Sequence, residues 1–83
     1  MDGINYIVVK VKPEDDYVLL VDFIDGSQKR FDMKPLIERG GVFEKLRDKE
    51  LFNKARIGRD TVIWDDVLDI APESLYDKGV IAR

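Results

Sequence analysis

The chain has 83 residues, no cysteine, no histidine and a formal charge of −3, which leaves room for one domain and removes disulfides, thiolate nucleophiles, iron–sulfur sites and cysteine-ligated zinc. The missing histidine also removes Ser-His-Asp and Cys-His catalysis, so any chemistry would rest on carboxylates, lysines or a thin set of hydroxyls (Ser27, Ser74, Thr61 and the tyrosines). An apolar fraction of 45% and a charged fraction of 37% suit a folded globular domain, and surface scaling gives it a folded area of roughly 5,100 Å², with one modest core.

Residues 6–11 alternate, with Ile7, Val9 and Val11 on one side and Tyr6, Val8 and Lys10 on the other. They predict a strand ended by Pro13 and the acidic Glu14-Asp15-Asp16 turn. Residues 17–24 are the most apolar run, rich in β-branched and aromatic side chains and short for a helix, hence a second strand. Asp25-Gly26 follows at once, a pair favoured in two-residue type I′ turns because both positions need positive φ. Residues 27–33 return as the other arm of a hairpin. A two-residue turn pairs Ile24 with Ser27, Asp22 with Lys29, Leu20 with Phe31 and Val18 with Met33 on one face. On the other it sets Tyr17, Leu19, Val21 and Phe23 against Lys34, Asp32, Arg30 and Gln28. Residues 17–24 are then a central strand, and 27–33 lie nearer an edge, where their charges blunt unwanted pairing.

Pro35 opens a short turn or helix over 35–38 that stops at Gly40-Gly41, and 42–46 make a brief helical turn. Asp48 is a fair N-cap for a helix over 49–54 that buries Leu51 and Phe52. Residues 55–57, a turn at Gly58-Arg59-Asp60, and residues 61–64 predict a second hairpin. The path through 65–71 is not settled by periodicity. Pro72 at the first helical position and Glu73 in the first turn predict a short helix over 72–77. Ala71 is a poor cap for it, at a cost of about 1 kcal/mol relative to Ser or Asp. Residues 78–83 read as a fraying tail. The expected architecture is a single α+β domain over 1–83, with a small, mostly antiparallel sheet of four to five strands and short helices packed on it.

The ordered set Tyr17-x-Leu19-x-Val21-x-Phe23-x-Asp25-Gly26, Phe31-Asp32-Met33-x-Pro35-Leu36, Gly41-Val42-Phe43-x-x-Leu46-x-Asp48, Leu51-Phe52, Ile63-Trp64 and Asp69-x-x-Pro72-Glu73-x-Leu75-Tyr76 resembles the bacterial domain-of-unknown-function family 2442 over nearly the whole chain. The resemblance implies a compact α+β fold with a small antiparallel sheet. It also implies kinship with stand-alone proteins of about this length, some relatives being fused to a helix-turn-helix domain or encoded beside a second small protein in arrangements like toxin–antitoxin pairs. The family assigns no catalytic residue, so none carries over. This chain departs from the family where Asp66-Val67 replaces a frequent Asn-Gly, which favours a longer strand or a different bend. Ala71 replaces a frequent Asp or Ser, which weakens the helix cap.

Charge is unevenly spread. Residues 45–59 hold six bases (Lys45, Arg47, Lys49, Lys54, Arg56, Arg59) against Asp48 and Glu50, a net of +4, and residues 60–77 hold six acids (Asp60, Asp65, Asp66, Asp69, Glu73, Asp77) and no base, a net of −6. One reading is an acidic surface around Asp65, Asp66, Asp69 and Glu73 that docks on a basic protein, charge complementarity raising association rate and selectivity. The other is a solvated face neutralised within the fold by the preceding basic segment. Asp65-Asp66-x-x-Asp69 also has the spacing of a magnesium-binding carboxylate box, an oxygen donor set suited to Mg²⁺ or Ca²⁺. That box needs a helix, and adjacent aspartates on a strand point to opposite faces. Gly40-Gly41 lacks the spacing of a phosphate loop and reads as a turn. The basic segment sits in an acidic domain of pI about 4.9, which argues against direct nucleic-acid binding. Trp64 and Tyr76 are either interface anchors or, as is commoner in so small a core, packing residues.

No run of apolar residues is long enough to span a bilayer and no leader pattern opens the chain, so a cytoplasmic setting without membrane attachment is expected. The function expected from the sequence is a non-enzymatic interaction or regulatory module, antitoxin-like, needing no cofactor or metal. Its partner would be a small bacterial protein, a basic toxin-like product of a neighbouring gene. The alternatives are a carboxylate-dependent, Mg²⁺-assisted hydrolase and a self-associating homodimer.

Overall fold

The computed structural model describes residues 6–65 and 68–82. Its strands are β1 (Val8–Glu14), β2 (Val18–Phe23), β3 (Gln28–Asp32), β4 (Arg56–Gly58), β5 (Thr61–Asp65), β6 (Leu68–Ile70) and β7 (Val80–Ile81). The helices are α1 (Lys34–Arg39), α2 (Lys49–Phe52) and α3 (Pro72–Lys78), with 3-10 segments at Asp15–Tyr17 and Gly41–Arg47. The fold is α+β, and the strands divide into two antiparallel sheets, of order β1-β2-β3-β7 and β4-β5-β6. The accessible surface is 5091 Å², as the chain length requires.

The first hairpin is real, with β2 central, but its register differs by one residue from that of a two-residue turn. Leu19 faces Phe31, Val21 faces Lys29 and Val18 faces Asp32. The reason lies in the loop. Phe23 N–H donates to the Ser27 carbonyl and Gly26 N–H to the Phe23 carbonyl, each at 2.9 Å, so Ile24, Asp25 and Gly26 all belong to the turn. Only Gly26, at φ +91°, enters the left-handed region there, the pattern of a three-residue loop ending on a left-handed glycine. Because side chains alternate, a one-residue shift exchanges the faces of the returning strand. It places Phe31 on the buried face with Leu19, Val21 and Phe23, and turns Arg30 and Asp32 outward. The positive-φ pair of a type I′ turn occurs instead at Arg59 (+52°) and Asp60 (+66°), where Gly58 pairs with Thr61.

Two boundaries also move. β1 runs on through Pro13, which pairs with Leu19 and is tolerated because β1 is an edge strand. Tyr17 belongs to the turn rather than to β2, at φ +62°. It is held there from three sides: its hydroxyl donates to the Arg47 carbonyl (2.5 Å), its carbonyl accepts from Met33 N–H (2.9 Å), and its ring meets Phe52 edge-on at 5.3 Å. Such support is what an unfavourable backbone conformation of a bulky residue requires.

The second sheet docks on the first through β1, where Val8 N–H donates to the Asp60 carbonyl (3.1 Å). The core between the sheets and helices gathers Leu19, Val21, Phe23, Met33, Leu46, Phe52, Trp64 and Leu75, all at most 2% exposed. Trp64 is a packing residue: it is 1% exposed and its indole N–H donates to the Phe52 carbonyl (3.2 Å). Asp48 caps α2 by accepting from Glu50 N–H (3.0 Å), whereas Ala71 gives α3 no side-chain cap. The chain reverses between Asp65 and Leu68, which pair across β5 and β6. The expectations for Asp66 and Val67 lie outside the described residues. After α3 the segment read as a tail returns along β3, with Lys29 facing Ile81 and Arg30 facing Val80. β3 is therefore not the outermost strand.

Candidate functional site

The acidic segment is dispersed over β5, β6 and α3. Asp65 ends β5, is half-buried, accepts from Leu68 N–H (2.9 Å) and lies 3.6 Å from Lys45 Nζ. Asp69 projects from the outer face of β6 and pairs with Arg59 at 3.2 Å. Glu73 is exposed in the first turn of α3, and Asp66 lies outside the described residues. Two members of the acidic run are thus tied to two members of the basic run that precedes it. With both partners of each pair substantially exposed, such contacts are worth about 0–1 kcal/mol. Among the described residues no three acidic side chains converge as cation ligands.

A denser polar cluster joins the first hairpin to α3. The Asp25 carboxylate accepts from Ser27 N–H (2.9 Å), from the Ser27 hydroxyl (2.6 Å) and from the Tyr76 hydroxyl (2.5 Å). These bonds, that of the Ser27 hydroxyl foremost, lower the Asp25 pKa to about 2, and the bond to Asp25 raises that of Tyr76. Lys29 Nζ donates to the Tyr76 carbonyl (2.5 Å) and stands 3.7 Å over the Tyr76 ring, while Phe23 meets that ring edge-on at 4.9 Å. A serine beside a carboxylate invites a nucleophilic reading. A general base, however, works best with a pKa near the operating pH, and a carboxylate held near 2 by three donors is a poor one. The arrangement is a clamp that seats α3 on the hairpin.

A concavity lies where β7 and α1 flank the end of β3. α1 starts with Pro35 in its first turn and stops at Gly40 (φ +90°). Within those six residues Ile37 turns into the core while Pro35, Leu36 and Arg39 remain outside or half-buried. Val80 and Ile81 form the other wall, each 71% exposed. Val18 and Phe31 complete the lining of a groove of about 470 Å³, within the usual size of ligand sites. Its lining is mainly apolar, and Arg30, Arg39 and Lys78 stand along its rim. Arg30 is bound to Glu14 (2.9 Å), whereas Arg39 and Lys78 form no ion pair among the described residues. A smaller concavity of about 270 Å³, bounded by α1, α3 and the end of β6 with Asp69 in its lining, adjoins it and shares Phe31, Leu36, Arg39 and Lys78.

A family model described as "Protein of unknown function (DUF2442)" matches residues 8–80. The chain belongs to this family. No curated protein and no solved structure matches it. The DUF2442 span takes in both sheets, all three helices and every lining residue of the groove except Ile81.

None of the groove residues stands out in the sequence as a site. Arg39 and Lys78 lie outside the charged runs, and Leu36 enters only as part of the short turn or helix over 35–38 and of the family pattern. The available signal was Val80-Ile81: two adjacent β-branched residues after a glycine suit a short strand better than a frayed end.

Proposed function

We propose that this DUF2442 protein is a non-enzymatic interaction module that holds a partner protein in the groove bounded by α1, β7 and the end of β3. The observation that carries the reading is an exposed apolar wall, Val80 and Ile81, set beside the half-buried Val18 and Leu36. Apolar surface presented on both sides of a cleft favours a complementary apolar segment by roughly 25 cal/mol per Å² removed from water. The acidic segment supports partner docking less well, because Asp65 and Asp69 already face Lys45 and Arg59. An antitoxin-like role, with the product of a neighbouring gene as partner, is one form such a module takes.

Site-specific crosslinking tests this. A photoreactive residue placed at Val80 in the producing cell is expected to yield one discrete adduct with a partner protein, and the same residue at Glu73 is expected to yield none. Adducts formed from position 73 and not from 80 would transfer the role to the acidic face, and the absence of any adduct at 80 would refute the groove.

A further inference from the structure

We infer that the groove also takes a small ligand, a medium-length aliphatic carboxylate, with its head at Arg39 and Lys78 and its chain along the apolar lining. This goes beyond the partner reading and stands on different observations. Four charged residues line the groove: Arg30, Asp32, Arg39 and Lys78. Two of them are satisfied within the fold, Arg30 by Glu14 at 2.9 Å and Asp32 by Lys34 Nζ at 3.1 Å. Arg39 and Lys78 are exposed and form no ion pair among the described residues. Both also line the smaller concavity, so they stand where the two hollows meet, together with Phe31 and Leu36. An anion at that junction has two cations beside it, and a guanidinium can grip a carboxylate with two parallel N–H donors.

The rest of the lining sets the body of the ligand. Val18, Pro35, Leu36, Val80 and Ile81 are aliphatic, and Phe31 is 7% exposed, so a ring has little surface to stack on. A volume of about 470 Å³ is that of a small-molecule site. A bare inorganic ion leaves most of it unfilled, and an uncharged hydrocarbon leaves Arg39 and Lys78 without a partner. A phosphate head is disfavoured. Phosphate sites draw on backbone N–H groups at helix N-termini, whereas Arg39 and Lys78 lie in the last turns of α1 and α3, where a helix carries partial negative charge. A singly charged carboxylate on an alkyl chain meets both the apolar and the cationic requirement. Its chain covers Leu36 and Val80, surface that a partner protein would also use, so the acid and the partner compete and occupancy by the acid closes the groove.

The test titrates the isotope-labelled full chain with sodium octanoate and follows its amide chemical shifts. Saturable one-site binding is expected, with the shifts clustered at residues 35–39 and 78–81. Lengthening the acid from hexanoate to octanoate adds two methylenes and is expected to tighten binding about tenfold. Octan-1-ol, with the same chain and no charge, is expected to bind about tenfold more weakly than octanoate, and octyl phosphate is also expected to bind more weakly. Arg39→Gln/Lys78→Gln is expected to lower octanoate affinity about tenfold and leave octanol affinity unchanged, whereas Val80→Asp is expected to lower both. All three positions are exposed, and the same spectra verify the fold of each variant. No saturable binding, or shifts centred elsewhere, would overturn the inference. Equal binding of octanol, or undiminished octanoate binding by the double variant, would overturn the charged head. Tighter binding of octyl phosphate would overturn the carboxylate. Shifts of these resonances on dilution without ligand would assign the surface to a second copy instead. A crosslink at position 80 without octanoate binding would refute the ligand and leave the partner reading standing; octanoate binding without that crosslink would do the reverse.

Discussion

Gly79 is the residue on which the β7 wall depends, and its replacement by alanine is a sharp test of how that wall is held. The glycine joins α3 to β7, and its N–H donates to the Leu75 carbonyl (3.1 Å). A Cβ here would lie 2.6 Å from the Leu75 carbonyl oxygen and 3.0 Å from Lys29 Cβ. Carbon atoms settle at about 3.5–4.0 Å from their neighbours, so both contacts are too close by half an ångström or more. One neighbour is helix backbone and the other is the root of a side chain in β3, so neither yields cheaply and the relief must come from residues 79–82. Those residues are weakly held. Each net hydrogen bond to β3 contributes about 0.5–1.5 kcal/mol, against about 1–2 kcal/mol to order each residue, and Val80 and Ile81 bury little. Gly79→Ala is therefore expected to detach β7 and leave the core intact. The insertion strain of about 1–3 kcal/mol is limited by what β7 contributes, so the global loss is expected at about 1 kcal/mol, or about 4–8 °C in melting temperature. Amide hydrogen exchange reads the local effect: the Ala82 amide should exchange near the free-peptide rate, with the β2 amides unchanged. Wild-type protection at Ala82 would refute the clash argument. Loss of protection throughout β2 would show that β7 is integral to the core.

Other outcomes follow from the same contacts. Trp64→Phe removes buried ring volume and the bond to the Phe52 carbonyl, and is expected to cost about 2–3 kcal/mol, read by denaturant unfolding; a change below half a kilocalorie would contradict the packing role. Asp65→Asn and Asp69→Asn break exposed ion pairs and are each expected to change stability by less than about 1 kcal/mol; a larger loss would mark them as structural. The Asp25 clamp has a pH signature: its pKa of about 2 lies below the ordinary 3.8, so its stabilising effect is complete above the unfolded value and is lost as pH falls through about 2. A carboxyl NMR titration should give that midpoint, shifted upward in Ser27→Ala and in Tyr76→Phe; a midpoint near 3.8 in the wild type would refute the clamp.

Where local chemistry decides conformation, the sequence was readable. The Asp48 cap, Pro35 in the first turn of α1, the stop at Gly40 and the hairpin around Asp25-Gly26 depend on residues within a turn of one another. What failed was a choice between two turns compatible with the same dipeptide. Asp-Gly suits a two-residue turn, but Ile24 joins the loop: its N–H donates to the Ile7 carbonyl (2.9 Å), a partner on the far side of β2. That single tertiary contact goes with the register that buries Phe31. Arg59-Asp60, without glycine, takes the double positive-φ turn because the flanking strands pair tightly around it. The charge asymmetry was legible, and so was the option that its halves neutralise each other, which Lys45 with Asp65 and Arg59 with Asp69 bear out for those two pairs. The groove was not legible, because it is assembled from β2, β3, α1, α3 and β7, and no local pattern announces a concavity shared by five elements.

The central claim is that partner contact occurs at the groove beside β7 rather than along the acidic segment. The most direct measurement is site-specific photocrosslinking in the producing cell from position 80 and from position 73. The account predicts a discrete partner adduct from position 80 and none from position 73. Adducts confined to position 73, or none at position 80, would contradict it.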